Sequence, residues 1–249
     1  MMGHRYVATP AVATGAITLV ALAFWTVIAR AEMGPCVTDD RGDLTCGSGN
    51  GAAAVILKTK SPSKRLAFAW RLTDRPPTSK PDENDPNLEN VIVRILDGAV
   101  LAKSHGAYWD LGTKIAKAYL FTAWSPDSRL LVKVEQRADS ASAELFSFAE
   151  DDTAIGPFDL VKVIEPAVQA QMQASKDADI STLVFAPHPA MTINDAGLMQ
   201  ATVLTISRDL IYGPTYEATV QVKRAADTLD ANVVSVTPYT GTSISIIVH

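Results

Sequence analysis

Cysteine is scarce in this chain of 249 residues: there are two, Cys36 and Cys46, and only four histidines. The two cysteines form no Cys-x-x-Cys pair and no histidine stands near them, so neither a metal nor a redox centre is expected there. In an exported chain, two cysteines joined by a short polar stretch point instead to a disulfide. Closing so short a loop stabilises by roughly 2–3 kcal/mol. Catalytic signatures are missing too. There is no Gly-x-Ser-x-Gly elbow and no His-Glu-x-x-His. The run Gly47-Ser48-Gly49-Asn50-Gly51 has no Gly-Lys-Ser/Thr after it, which removes the phosphate-loop reading. Asp82, Asn84 and Asp85 offer oxygen ligands but lack the spacing and the glycine of an EF-hand. No metal and no cofactor is expected.

Basic charge is also short. Lys and Arg number 22 against 27 acidic residues, and no basic cluster stands out. That balance argues against a nucleic-acid partner, whose phosphates need a basic face, and against peripheral binding to anionic lipid. The expected partner is an envelope protein or a small ligand.

What is present begins with a leader pattern. Residues 7–29 carry no charge and follow Arg5, and Ala29-Arg30-Ala31 offers small residues at −3 and −1 of a signal-peptidase site. The expectation is a signal peptide over residues 1–31 and a mature chain starting at Glu32, periplasmic or secreted. The alternative is an uncleaved inner-membrane anchor carrying an extracytoplasmic domain, since about 20 apolar residues span a bilayer. Membrane contact is expected only through that segment.

Residues 32–51 read as a lead-in loop closed by the disulfide, and residues 52–249 as a single β-rich domain. A strand at 52–60 ends in the turn Ser61-Pro62-Ser63-Lys64. Leu66, Phe68, Trp70 and Leu72 then alternate on one face. The pattern returns 64 residues later as Ser125-Pro126-Asp127-Ser128-Arg129-Leu130, with Leu130, Val132 and Val134 on one face and Lys133 and Glu135 on the other. Leu66 and Leu130, Phe68 and Val132, and Trp70 and Val134 are therefore expected at equivalent core positions, and Trp124 in the core. Between the copies, residues 73–90 with four prolines read as an exposed insertion. Asp97-Gly98 joins strands at 90–95 and 99–104 as a hairpin. The second copy continues with strands at 142–148 and 158–164. Glu165-Pro166 marks a helix start, with Val168 and Met172 four apart. Strand candidates follow at 180–186, 199–207, 216–223, 232–237 and 243–248. Phe185-Ala186-Pro187 reads as a worn third copy, about 61 residues after the second. The units run over about 52–104, 118–165 and 180–249.

A strand, Ser-Pro-x-x-Arg, an alternating strand, a strand rich in Val and Ile, then Asp-Gly resembles the WD40-like blade repeat of TolB-type β-propellers. Trp124-Ser125-Pro126-Asp127-Ser128-Arg129 carries the resemblance, with Ser128 where Gly is usual; Ser61-Pro62-Ser63-Lys64-Arg65 with Asp97-Gly98 follows it more loosely. The chain also resembles exported bacterial proteins of unassigned function that pair two such turns. The resemblance implies architecture and no particular activity. Propellers have 4–8 blades, so three units imply a mainly β fold of two to three duplicated antiparallel four-stranded blade-like units with one helix, open propeller-like or sandwich-like.

One constellation carries chemistry. His105-Gly106-Ala107-Tyr108-Trp109-Asp110 follows a strand and joins an imidazole, two aromatics and a carboxylate, and His188 falls on the same rim if the units correspond. His105, Tyr108, Trp109, Asp110 and His188 are the candidate ligand contacts. The competing reading has Tyr108 and Trp109 plugging the core and Asp110 capping the turn at Leu111-Gly112. The runs 82–85 and Glu150-Asp151-Asp152 read as solvated charge. The function expected is non-catalytic binding or a structural role in the cell envelope, with a periplasmic hydrolase near the 105–110 loop as the alternative.

Overall fold

The computed structural model describes residues 33–82, 84–112, 114–116, 118–137, 141–175, 182–185, 191–206, 212–225 and 227–241. The leader, His188 and the expected strand at 243–248 lie outside them.

Three antiparallel sheets follow one another along the chain. The first contains β1 (Cys36–Thr38), β2 (Leu44–Cys46), β3 (Ala53–Val55), β4 (Leu66–Leu72), β5 (Leu88–Arg94) and β6 (Val100–Ser104), paired in chain order. The second is the meander β7 (Tyr119–Trp124), β8 (Leu130–Gln136), β9 (Ala141–Phe148) and β10 (Ala154–Asp159). The third holds β11 (Thr182–Phe185), β12 (Thr192–Ile193), β13 (Leu198–Ile206), β14 (Tyr212–Arg224) and β15 (Leu229–Pro238). Both β11 and β12 pair with β13, opposite Val203 to Ile206 and Met199 to Gln200 respectively, and so form one interrupted edge strand. None of the sheets closes into a barrel, and the fold is the mainly β, repeated architecture expected.

Local chemistry explains the repeated turns. Ser61 and Ser125 each donate a backbone N–H to the carbonyl of Leu66 or Leu130, and their carbonyls accept the N–H of Lys64 or Ser128. The Ser61 and Ser125 hydroxyls accept the N–H of Leu66 and Leu130 at 3.2 and 2.9 Å. Lys64 and Ser128 sit at φ 57° and 64°, the left-handed region that favours Gly. The expected third copy at Phe185-Ala186-Pro187 continues, past the end of β11 at Phe185, into residues outside those described. A turn of the same hydrogen-bond pattern is formed by Asn194-Asp195-Ala196-Gly197, where the Asn194 carboxamide accepts the Leu198 N–H at 2.9 Å and Gly197 takes φ 75°. Asn replaces Ser and the loop is one residue shorter, so no Ser-Pro marks it.

The sheets stack in sequence order. Leu66, Phe68, Trp70 and Leu72 face the second sheet and meet Leu131 and Phe146. Leu130, Val132 and Val134 face the third sheet and helix α1 (Val161–Ser175). The three expected equivalences hold, since each set faces the next unit. Trp70 is fully buried and Trp124 partly buried, its indole donating to the Thr59 carbonyl of the first unit at 2.8 Å.

Several boundaries differ from expectation. Residues 32–51 include the β1–β2 hairpin, because Cys36 and Cys46 are cross-strand partners and bonded as a disulfide. The insertion ends before β5 at Leu88. The fourth strand of the second unit is Ala154–Asp159, not 158–164, and α1 starts at Val161. The Asp159 carboxylate accepts the Val161 N–H at 3.0 Å, which sets that start. Pro166 lies inside the helix on its exposed side, while Leu160, Ile164, Val168 and Met172 form the buried stripe that holds it. Asp152 is not solvated: 5% exposed, it accepts Arg65 at 2.9 Å and Arg94 at 3.4 Å from the first unit.

Candidate functional site

β8 is buried along its whole length, Lys133 and Glu135 included. Alternation still divides its faces, but a sheet covers each. Lys133 stands directly opposite Glu144 on β9, and Glu135 is two residues further along the same face. That face meets the first unit where the chain leaves β6.

The segment 104–107 closes over these charges. The Lys133 ammonium donates to the His105 carbonyl at 2.6 Å and to Glu135 Oε2 at 3.2 Å, with Glu144 Oε2 at 3.6 Å and the Phe68 ring centre at 5.8 Å. Glu144 accepts the Ser104 hydroxyl at 2.5 Å and the His105 N–H at 3.1 Å. Glu135 Oε1 accepts the Ala107 N–H at 3.3 Å and the Arg137 guanidinium at 3.2 Å. Gly106 has φ 113°, and a Cβ there would lie 2.0 Å from Glu135 Oε2. Only glycine lets the backbone come that close. A lysine buried without partners would cost several kcal/mol; here two carboxylates, a carbonyl and an aromatic face receive it.

The sequence-predicted residues divide by environment. His105 is 83% exposed at its side chain, with Nδ1 held 2.6 Å from Glu144 Oε1. Its Nε2 has no hydrogen-bond partner among the described residues. The ring lines a cavity of about 840 Å³ shared with Ser142, Phe158, Asp159 and Lys162. A carboxylate that orients an imidazole at a cavity wall is an arrangement suited to moving a proton.

Tyr108 is buried, and its backbone exchanges two hydrogen bonds with the Asn90 carboxamide at 2.7 and 3.0 Å. Burial, and then the charges of Asp110 and Glu135, push its phenol up to about 12. Asp110 caps the following turn, its carboxylate accepting the Gly112 N–H at 2.7 Å and its carbonyl the Trp70 indole at 3.0 Å. Trp109, 8% exposed, forms part of the wall of a second cavity. Tyr108 thus packs, and Asp110 caps a turn beside a further cavity. Trp109 belongs to the core with one edge at a cavity wall, and His105 is the exposed member of the set.

Lys133, Glu135 and Glu144 were not among the sequence candidates. The signal available was charge in the two central strands of one unit, within a stack whose sheets are covered on both faces. Among the described residues no group of three or more His, Cys, Asp or Glu side chains is placed to hold a metal ion. No helix among them is long and apolar enough to cross a membrane. No protein-family model, curated protein or solved structure matches the chain.

Proposed function

We propose that this is an exported cell-envelope protein of TolB-like blade units that binds or holds a partner without catalysis, through the loop edge bearing His105 and Trp109. Export is supported by the uncharged leader, Arg5 and the Ala29-Arg30-Ala31 site, and by a disulfide, which persists in oxidising compartments. One observation carries the binding reading. The 104–107 segment is tied from beneath by Lys133, Glu135 and Glu144, which bond one another, the segment's backbone and the side chains of Ser104, His105 and Arg137. Such a loop is a stiff platform, and the groups beneath it serve the junction between units. His188, expected on the same rim, lies outside the described residues.

A second reading is a hydrolase, favoured by the His105 and Glu144 pair facing a cavity with Ser142 in its wall. The test takes the mature chain from the envelope fraction, reads its N-terminus by mass spectrometry and screens chromogenic esters, phosphates and glycosides. The expected result is a chain starting at Glu32 with no turnover above that of His105→Ala. Turnover abolished by His105→Ala would replace the binding reading with the hydrolase.

A further inference from the structure

The second cavity, of about 330 Å³, lies between the 73–87 insertion, the connection from β6 to β7, and Arg137 at the end of β8. Its size is that of a pocket for a small organic molecule. Its charge runs against the rest of the chain. Lys80, Lys114 and Arg137 line it with Asp82 as the one carboxylate among the described lining residues, whereas acids outnumber bases overall, 27 to 22. Lys80 and Lys114 make no ion pair among the described residues, so their charges are available to a ligand. The wall beneath them is apolar: Trp109, Leu88 and Ile115, the last 52% exposed. Lys80 Nζ stands 6.0 Å from the Trp109 ring centre, so cation and aromatic face already occupy one end of the cavity together.

The pocket is also built from below. Glu135, 3% exposed at its side chain, holds both the Arg137 guanidinium and the Ala107 N–H, one cation and one stretch of backbone from the cavity wall. The buried charge cluster therefore fixes where the guanidinium sits.

We infer that this cavity binds a small organic carboxylate with an aromatic or aliphatic body, its anionic group between Lys80, Lys114 and Arg137 and its body against Trp109 and Ile115. The inference rests on the binding reading above and names the ligand class for that loop edge. Arg137 and Trp109 set orientation, and the two lysines supply most of the charge recognition.

The test uses the mature protein and sodium 2-naphthoate, with neutral 2-naphthamide as its uncharged counterpart. The indole N–H signals in ¹H–¹⁵N spectra are assigned through Trp70→Phe, Trp109→Phe and Trp124→Phe. Naphthoate is expected to move the Trp109 signal saturably and leave those of Trp70 and Trp124 in place. Lys80→Ala/Lys114→Ala, two changes at exposed side chains, is expected to weaken binding by about tenfold. Added salt is expected to weaken it as well. Naphthamide moving Trp109 as strongly as naphthoate, an unmoved Trp109 signal, or an unchanged affinity in the double variant would each overturn the inference. The binding reading fails on a different measurement, turnover in the hydrolase screen, so the two failures are told apart.

Discussion

Lys133 lies in an interior that most lysines avoid, and it stays because Glu135, Glu144 and the His105 carbonyl meet it there. Removing one member of such a group leaves the others charged and underpaired. Lys133→Met is therefore expected to lower stability by about 3–5 kcal/mol. Lys133→Met/Glu135→Leu/Glu144→Leu, which removes the charges together, is expected to recover much of that loss; urea unfolding of the two variants decides. A triple variant as unstable as Lys133→Met would mean that packing, not uncompensated charge, dominates. Tyr108 gives a pH signature from the same neighbourhood. Its phenol is pushed up to about 12, above the ordinary value near 10 that it regains on unfolding. The unfolded chain thus releases this proton first, and the stabilising contribution is complete below pH 10 and is lost as pH rises towards 12. Wild type is expected to lose stability more steeply than Tyr108→Phe across that window, and the variant should lack the last component of the ultraviolet tyrosine titration.

At the scale of elements, the turns show most clearly what a sequence reveals. Ser-Pro-Asp-Ser was legible because its hydroxyl and carboxylate bond their own backbone, and no distant part of the fold is needed. Asn194-Asp195-Ala196-Gly197 makes the same hydrogen bonds with different residues, so a search for Ser-Pro passes over it. The start of α1 was hidden in a similar way. Pro166 argues against a helix through it, but the stripe from Leu160 to Met172 holds the helix while the proline faces solvent. Lys133 and Glu135 escaped for another reason: alternation separates two faces of a strand but does not say what covers each. The positive φ at Lys64 and Ser128 leads to a prediction that separates strain from bonding. Lys64→Gly removes a left-handed non-glycine residue and is expected to stabilise by about 1 kcal/mol. Ser128→Gly relieves the same strain but loses the hydroxyl that accepts the Ser63 N–H at 3.0 Å, so its gain is expected to be smaller. Equal gains in thermal unfolding would show that this bond between units contributes nothing.

Across the whole molecule, a stack of sheets leaves two terminal faces, and repeat architectures need something over them. The first sheet covers its own. After β3 it continues through β2 to β1, and the Cys36 N–H reaches the Ile95 carbonyl beyond β5 at 3.2 Å, so the sheet curls over its outer face. Ala67, Ala69, Val91 and Val93 are completely buried there beside Leu44 and Cys46. The two alanines matter, since small side chains leave room for the hairpin to lie close. Gly98 in the β5–β6 turn packs against Gly34 so tightly that a Cβ would come within 2.0 Å of its carbonyl oxygen. The disulfide ties the two strands of this cover together. Cys36→Ser/Cys46→Ser is expected to cost about 2–3 kcal/mol, and the loss should be local before it is global. Hydrogen exchange at Ala53, Ala54 and Val55, the strand next to the cover, should accelerate in that variant. Amides of β8, enclosed between two sheets, should keep their protection until the whole stack opens. Equal acceleration in β3 and β8 would mean that the hairpin is not a separable cover and that the first unit unfolds only with the second, through the Lys133 cluster and the Asp152 bridges that join them.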